Sequence, residues 1–127
     1  MKFKNPLNNK LKEKIKSDDK IMAVIVFGSY ARQENYNDID VCLVLDKKYS
    51  NLLMSKKRLE YSCFSDKFDF HIFQQLPIYI RTRILKEGKI ILSKDLEFLY
   101  ELAFSTIKEF EFYKKIYYNY LNTIKIK

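Results

Sequence analysis

A chain of 127 residues has room for one hydrophobic core, so a single domain is expected over residues 1–127. Hydrophobic residues at 47% and charged residues at 31% exclude a disordered chain, and no apolar run approaches the ~20 residues that cross a bilayer. The net charge of +8 attracts polyanions, but twenty of the 24 basic residues are Lys scattered among many Ile, Asn and Tyr, so nucleic acid is a possible partner and not the favoured one.

Two Gly and two Pro in the whole chain make each of them strong punctuation. Leu7, Leu11 and Ile15 recur four apart among lysines, which predicts an amphipathic helix over 7–17, broken by Asp18-Asp19. Ile21 to Phe27 is an unbroken apolar, β-branched run, the pattern of a strand buried on both faces. Gly28-Ser29 makes a turn, Tyr30 to Glu34 a short helix and Asn35 to Asn37 a loop. Ile39 to Leu45 is a second buried strand, and Asn51 to Tyr61, with Leu52, Leu53 and Leu59, a helix.

Lys67 to Phe73 alternates as a third strand, with Phe68, Phe70 and Ile72 on one face and Asp69, His71 and Phe73 on the other. Pro77 suits the first turn of a helix over Ile78–Glu87, and Gly88 its left-handed C′ cap. Lys89 to Leu92 reads as a short edge strand. A last helix starts near Asp95 and runs to about residue 120, with Leu96, Leu99, Ala103, Ile107, Phe110, Tyr117 and Leu121 at helical steps. The fold class is α/β (α+β): a small mixed sheet of about four strands flanked by helices, with a core over about 20–93 and a long C-terminal helix.

The chemistry gathers around the first two strands. Asp38 and Asp40 are two apart, so in an extended strand both carboxylates point to one side. Two like charges so close repel unless a cation neutralises them, and Mg²⁺ takes oxygen ligands and completes its shell with phosphates. Asp69 is the one acid of the third strand and the candidate third carboxylate, which would admit a second metal. Gly28 lets a strand turn sharply and a phosphate approach the backbone. The Ser29 hydroxyl can donate to that phosphate, and Arg32 lies one turn on. His71 shares the Asp69 face, either bordering the site or serving the structure. Cys42 continues the Asp40 face as a small buried hydrophobe.

Gly28-Ser29-Tyr30-Ala31-Arg32, Asp38-Ile39-Asp40 and Asp69 together resemble the DNA polymerase β superfamily of nucleotidyltransferases, and within it the minimal nucleotidyltransferase (MNT) proteins. The stretches Leu76–Arg81, Leu85–Lys89 and Leu99–Ala103 resemble the same family, over about residues 20–120. The resemblance implies a polymerase β-like core in which Gly28, Ser29 and Arg32 bind the triphosphate of ATP. It further implies that Asp38, Asp40 and Asp69 are catalytic and hold two Mg²⁺ ions. Many MNT proteins are antitoxins that transfer AMP from ATP to a tyrosine of a HEPN-family ribonuclease toxin, so such a toxin is the implied partner. Alternatives are transfer to a small molecule or an RNA 3′ end, or a nucleotide-binding antitoxin that neutralises by contact. The family commonly has a longer loop between the Gly-Ser turn and the first Asp, and a Gly where this chain has Gln33. Phe110, Phe112, Tyr113, Tyr117, Tyr118 and Tyr120 exceed what one helix face can bury and suggest a partner surface. With no apolar segment after Met1–Pro6 and cysteines only at 42 and 63, the expected compartment is the cytoplasm.

Overall fold

The computed structural model describes residues 3–126. Helix α1 (Asn9–Ser17) starts at Asn8, whose side chain accepts from the Leu11 amide at 2.8 Å, and ends where Asp18 turns extended. Its four-residue apolar repeat buries Leu11 and Ile15 completely, each gaining roughly 2 kcal/mol by leaving water. Strand β1 (Ile21–Phe27) and strand β2 (Ile39–Leu45) have the bounds expected from their apolar runs. Between them the chain forms one helical turn, α2 (Gly28–Ala31). The helical turn begins at Gly28 itself and not at Tyr30.

Helix α3 (Asn51–Ser62) carries the chain from β2 to β3 (Phe68–Ile72), which pairs with β2 in parallel. Leu52 and Leu59, two of the leucines that marked this helix in the sequence, are exposed, and Met54 and Tyr61 are the buried anchors. The Tyr61 hydroxyl and the Lys57 ammonium both donate to Asp18 Oδ2, at 2.9 and 2.8 Å, tying α3 to the end of α1. Burial alone would raise the Asp18 pKa. The bonds from Lys57, Tyr61 and the Lys20 amide outweigh it and hold the carboxyl below its ordinary value.

A 3₁₀ turn (Phe73–Gln75) leads to α4 (Ile78–Glu87), β4 (Lys89–Ser93) and α5 (Leu96–Ile126). Helix α4 has the expected bounds, and Pro77, directly before them, is its N-cap residue. Gly88 follows the helix in an extended conformation, φ −71°, so it is not a left-handed cap. A Cβ there would strike Ile25 and the Ile84 carbonyl, so close approach to β1 is what demands glycine. Asp95 accepts from the Phe98 amide at 3.1 Å and starts α5.

The sheet order is β3-β2-β1-β4, with β1 antiparallel to both neighbours. One face buries Val24, Val26, Val41, Leu43, Phe70 and Ile72 against α1 and α3. The other buries Ala23, Ile25, Cys42, Val44 and Phe73 beneath Ile84 of α4 and Leu99 of α5. Both faces of the central strands are therefore covered over most of their length, which is why β1 and β2 are apolar except at Asp40. Helix α5 packs through its first part only. Leu99 and Thr106 are buried, whereas Leu96, Ile107 and Tyr117 are exposed, and no Gly or Pro stops the helix before Ile126.

Candidate active site

The second face of the sheet changes character at the end of β1. Cys42 and Phe73 are covered by α4 and α5, but earlier along the chain the same face carries Asp40 on β2 and Asp69 and His71 on β3. Asp40 and Asp69 are register partners across the parallel β2–β3 ladder, as are Cys42 and His71. Strand alternation thus places Asp40, Asp69 and His71 together without help from any loop.

His71 Nε2 lies 3.2 Å from Asp69 Oδ2 and 3.5 Å from Asp40 Oδ1. One ligand atom from each of the three lies within 4.8 Å of the others. Burial first, and then the Asp69 carboxylate, raise the Asp40 pKa above its ordinary value, while His71 pulls against the rise. A divalent cation fits this set: the carboxylates suit Mg²⁺, and an imidazole nitrogen widens the choice toward metals such as Mn²⁺. The Phe27 ring packs edge-on to His71, with centroids 5.4 Å apart.

Gly28 lies against Asp40. Its φ is +73°, and a Cβ would overlap Asp40 Oδ2. The glycine is needed twice, for a left-handed φ and for room beneath the carboxylate. The first amides of a helix have no partner within it, and α2 starts at Gly28 and Ser29, which line the same cleft as Asp40. Among the described residues the Ser29 hydroxyl has no hydrogen-bond partner.

Helix α2 closes as a Schellman motif. The Glu34 amide donates to Ser29 O at 2.9 Å and the Gln33 amide to Tyr30 O at 3.0 Å, with Gln33 left-handed at φ 59°. That geometry explains why a glycine suits this position in related sequences, and the motif survives here with glutamine. Arg32 caps the turn, with its Nε 3.1 Å from Glu34 and its Nη1 3.7 Å from Glu87 of α4. Gly28, Ser29, Arg32 and Asp40 line one wall of an open cleft of about 230 Å³, and Arg83, Ile84 and Glu87 of α4 line the other.

Asp38 stands apart from this group. It lies in a bend before β2, exposed to solvent, and is not among the three close donors. The expected alternation with Asp40 holds only inside a strand, and β2 begins at Ile39, whose amide donates to Lys67 O at 3.2 Å. Arg58 was not anticipated. Its Nε donates to Phe70 O at 2.6 Å and its Nη2 lies 3.6 Å from Asp69 Oδ1, so Asp69 sits between Arg58 and His71. Nothing in the spacing of α3 announces a side chain that reaches over β3.

A family model described as "Polymerase beta, Nucleotidyltransferase" matches residues 9–97, from α1 to the first turn of α5. The chain belongs to the polymerase beta nucleotidyltransferase family. A relative from Methanocaldococcus jannaschii, named "Putative protein adenylyltransferase", is 35% identical over 81 residues. That match spans 61% of this chain and 61% of the relative's length. The fold is also that of a toxin–antitoxin crystal structure with AMP-PNP, at a TM-score of 0.70 and 16% identity, covering 93% of this chain and 98% of the other. A structure of a tri-AMPylated Shewanella oneidensis HEPN toxin with its MNT antitoxin contains a chain matching at a TM-score of 0.67 and 15% identity, covering 91% and 93%. The nucleotidyltransferase core here is a mixed four-stranded sheet between helices. No helix among the described residues is long and apolar enough to cross a membrane.

Proposed function

We propose that this chain is a metal-dependent nucleotidyltransferase that moves AMP from ATP to a tyrosine hydroxyl of a HEPN-type ribonuclease toxin, and so acts as its antitoxin. The observation that carries the proposal is the position of Asp40, which is the register partner of Asp69 on one side and lies against Gly28 on the other, in the cleft that Gly28, Ser29 and Arg32 line. A cleft of about 230 Å³ is smaller than pockets that enclose a whole ligand, so it suits a polyphosphate and leaves the nucleoside toward solvent.

In the proposed step the acceptor oxygen attacks the α-phosphorus and the bond to the β-phosphate oxygen breaks. Pyrophosphate leaves with that electron pair, and the hydroxyl proton passes to solvent water. Amides at Gly28 and Ser29, the Ser29 hydroxyl and the Arg32 guanidinium would bind and orient the triphosphate. Asp40 and Asp69 would hold Mg²⁺, as two ions, with Asp38 reaching in from the bend that precedes β2. Mg²⁺ bound there supplies neutralisation of the phosphate charge and a more acidic acceptor hydroxyl. His71 would keep both carboxylates oriented, and Arg58 would hold Asp69 from its other side.

The relative named as a protein adenylyltransferase and the structures of MNT antitoxins with HEPN toxins support a protein acceptor. The exposed aromatics of α5, among them Phe112, Tyr113, Tyr117 and Tyr120, support a protein partner. The test is transfer of label from α-labelled ATP, with Mg²⁺, to the protein encoded beside this chain. Asp40→Asn and Asp69→Asn should abolish it while the melting temperature stays near that of the wild type. Undiminished transfer by both variants would sink the proposal. The position of Asp38 outside the cluster favours a second reading, neutralisation by contact. In that case the same variants would still protect cells from the partner.

A further inference from the structure

The wall of the cleft formed by α4 poses a separate question. Glu87 is the last residue of α4, the end at which the helix dipole disfavours a carboxylate. Arg83 precedes it by four residues, the weaker order for a helical ion pair. Helix stability therefore does not account for Glu87. Its Oε2 lies 3.7 Å from Arg32 Nη1 and 4.0 Å from Arg83 Nε. One carboxylate oxygen thus sits between two guanidiniums carried by different elements, at the edge of the space shared by Ser29 and Asp40. A phosphate oxygen is held in the same way, between arginine forks. Both spacings exceed hydrogen-bond length, so charge keeps Glu87 in place and nothing locks it there.

Building on the nucleotidyl-transfer reading of this cleft, we infer that Arg32 and Arg83 form a two-arginine clamp for the triphosphate, and that Glu87 is its internal counter-ion, displaced when nucleotide binds. The arrangement has a chemical consequence. With Glu87 in place, a singly charged anion gains little from entering, because it must compete with a tethered carboxylate. A polyphosphate brings enough charge to take both guanidiniums. After transfer, Glu87 returns to the arginines and helps the pyrophosphate to leave.

Calorimetric titration of the chain with inorganic tripolyphosphate, and separately with AMP-PNP and Mg²⁺, tests the clamp. Glu87→Gln should tighten both by about five-fold, the scale of an exposed ion pair. Arg83→Ala should weaken both by about ten-fold, the loss of one charge-assisted contact. Arg83→Lys, which keeps the charge but not the fork, should fall between. In the double variant, Glu87→Gln should gain less than it does alone. Melting curves of each variant separate weaker binding from weaker folding. Wild-type affinity in Glu87→Gln, or in Arg83→Ala, overturns the clamp while leaving nucleotide binding intact. A wild-type chain that binds neither ligand overturns the nucleotide reading and the clamp together.

Discussion

Replacing Gly28 by Ala puts one methyl group where the Asp40 carboxylate now lies, and the structure allows its cost to be worked out. At φ +73° an L-residue is strained by about 1–2 kcal/mol. Stiffening of the unfolded chain returns about 0.5–1 kcal/mol of that. The new Cβ would overlap Asp40 Oδ2 and come within 3.2 Å of Asp40 Cγ, so the carboxylate must rotate away. An off-rotamer side chain costs about 0.5–1.5 kcal/mol. The net loss is about 2 kcal/mol, or roughly 8 °C in Tm for a domain of this size. Transfer should fall further than stability, by about a hundred-fold, because the carboxylate proposed to hold the metal is displaced by about an ångström.

A double-mutant cycle with Asp40→Ala isolates the clash. That truncation leaves only the Asp40 Cβ, 3.4 Å from the added methyl, an ordinary contact. The two substitutions should then be coupled by about 1 kcal/mol in thermal or urea unfolding. Additive losses, or a Gly28→Ala variant with wild-type Tm and full transfer, would refute the close packing of this turn against β2.

Gln33→Gly should stabilise the chain by about 1 kcal/mol in urea unfolding, less whatever the glutamine side chain contributes, because the left-handed residue of the Schellman motif suits glycine. Asp18→Asn should cost about 1–2 kcal/mol at pH 7 by weakening the bonds from Lys57 and Tyr61. The folded-state pKa of Asp18 is depressed, so its contribution is complete above the unfolded value of about 3.9 and lost as pH falls through the folded one. Unfolding curves of the variant and the wild type should therefore converge in acid below about pH 4. Arg58→Ala should lower the affinity of the site for Mn²⁺, read by paramagnetic broadening, if orienting Asp69 matters more than competing with the ion. A gain in affinity would show that Arg58 screens the site instead.

Strands β1 and β2 were legible to the residue because both of their faces are largely buried, and apolar runs bounded by Asp and Gly, broken only at Asp40, leave little choice. Asp69 and Asp40 were legible for the same reason, since alternation dictates their face. Asp38 was less so, because a rule for strands says nothing about a bend one residue outside. Gly88 showed the limit of punctuation: glycine before a strand means either a left-handed cap or a tight approach, and only the position of Ile25 decides. Leu52 and Leu59 carry a helical signal that tertiary packing does not use. Arg58, Arg83 and Glu87 act across elements, and no local pattern records which strand a long side chain will cross.

The pairing of Asp40 with Asp69 has one more consequence. β3 is an edge strand, held to the sheet by a single ladder with β2. The two carboxylates therefore meet only while that ladder is zipped, and fraying of five residues would scatter the site in an otherwise native molecule. On the proposed reading, catalytic competence then reports on an edge of the sheet and not on its interior. A ligand that bridges the two carboxylates would act as a stitch, slowing amide exchange along β3 more than anywhere in the core.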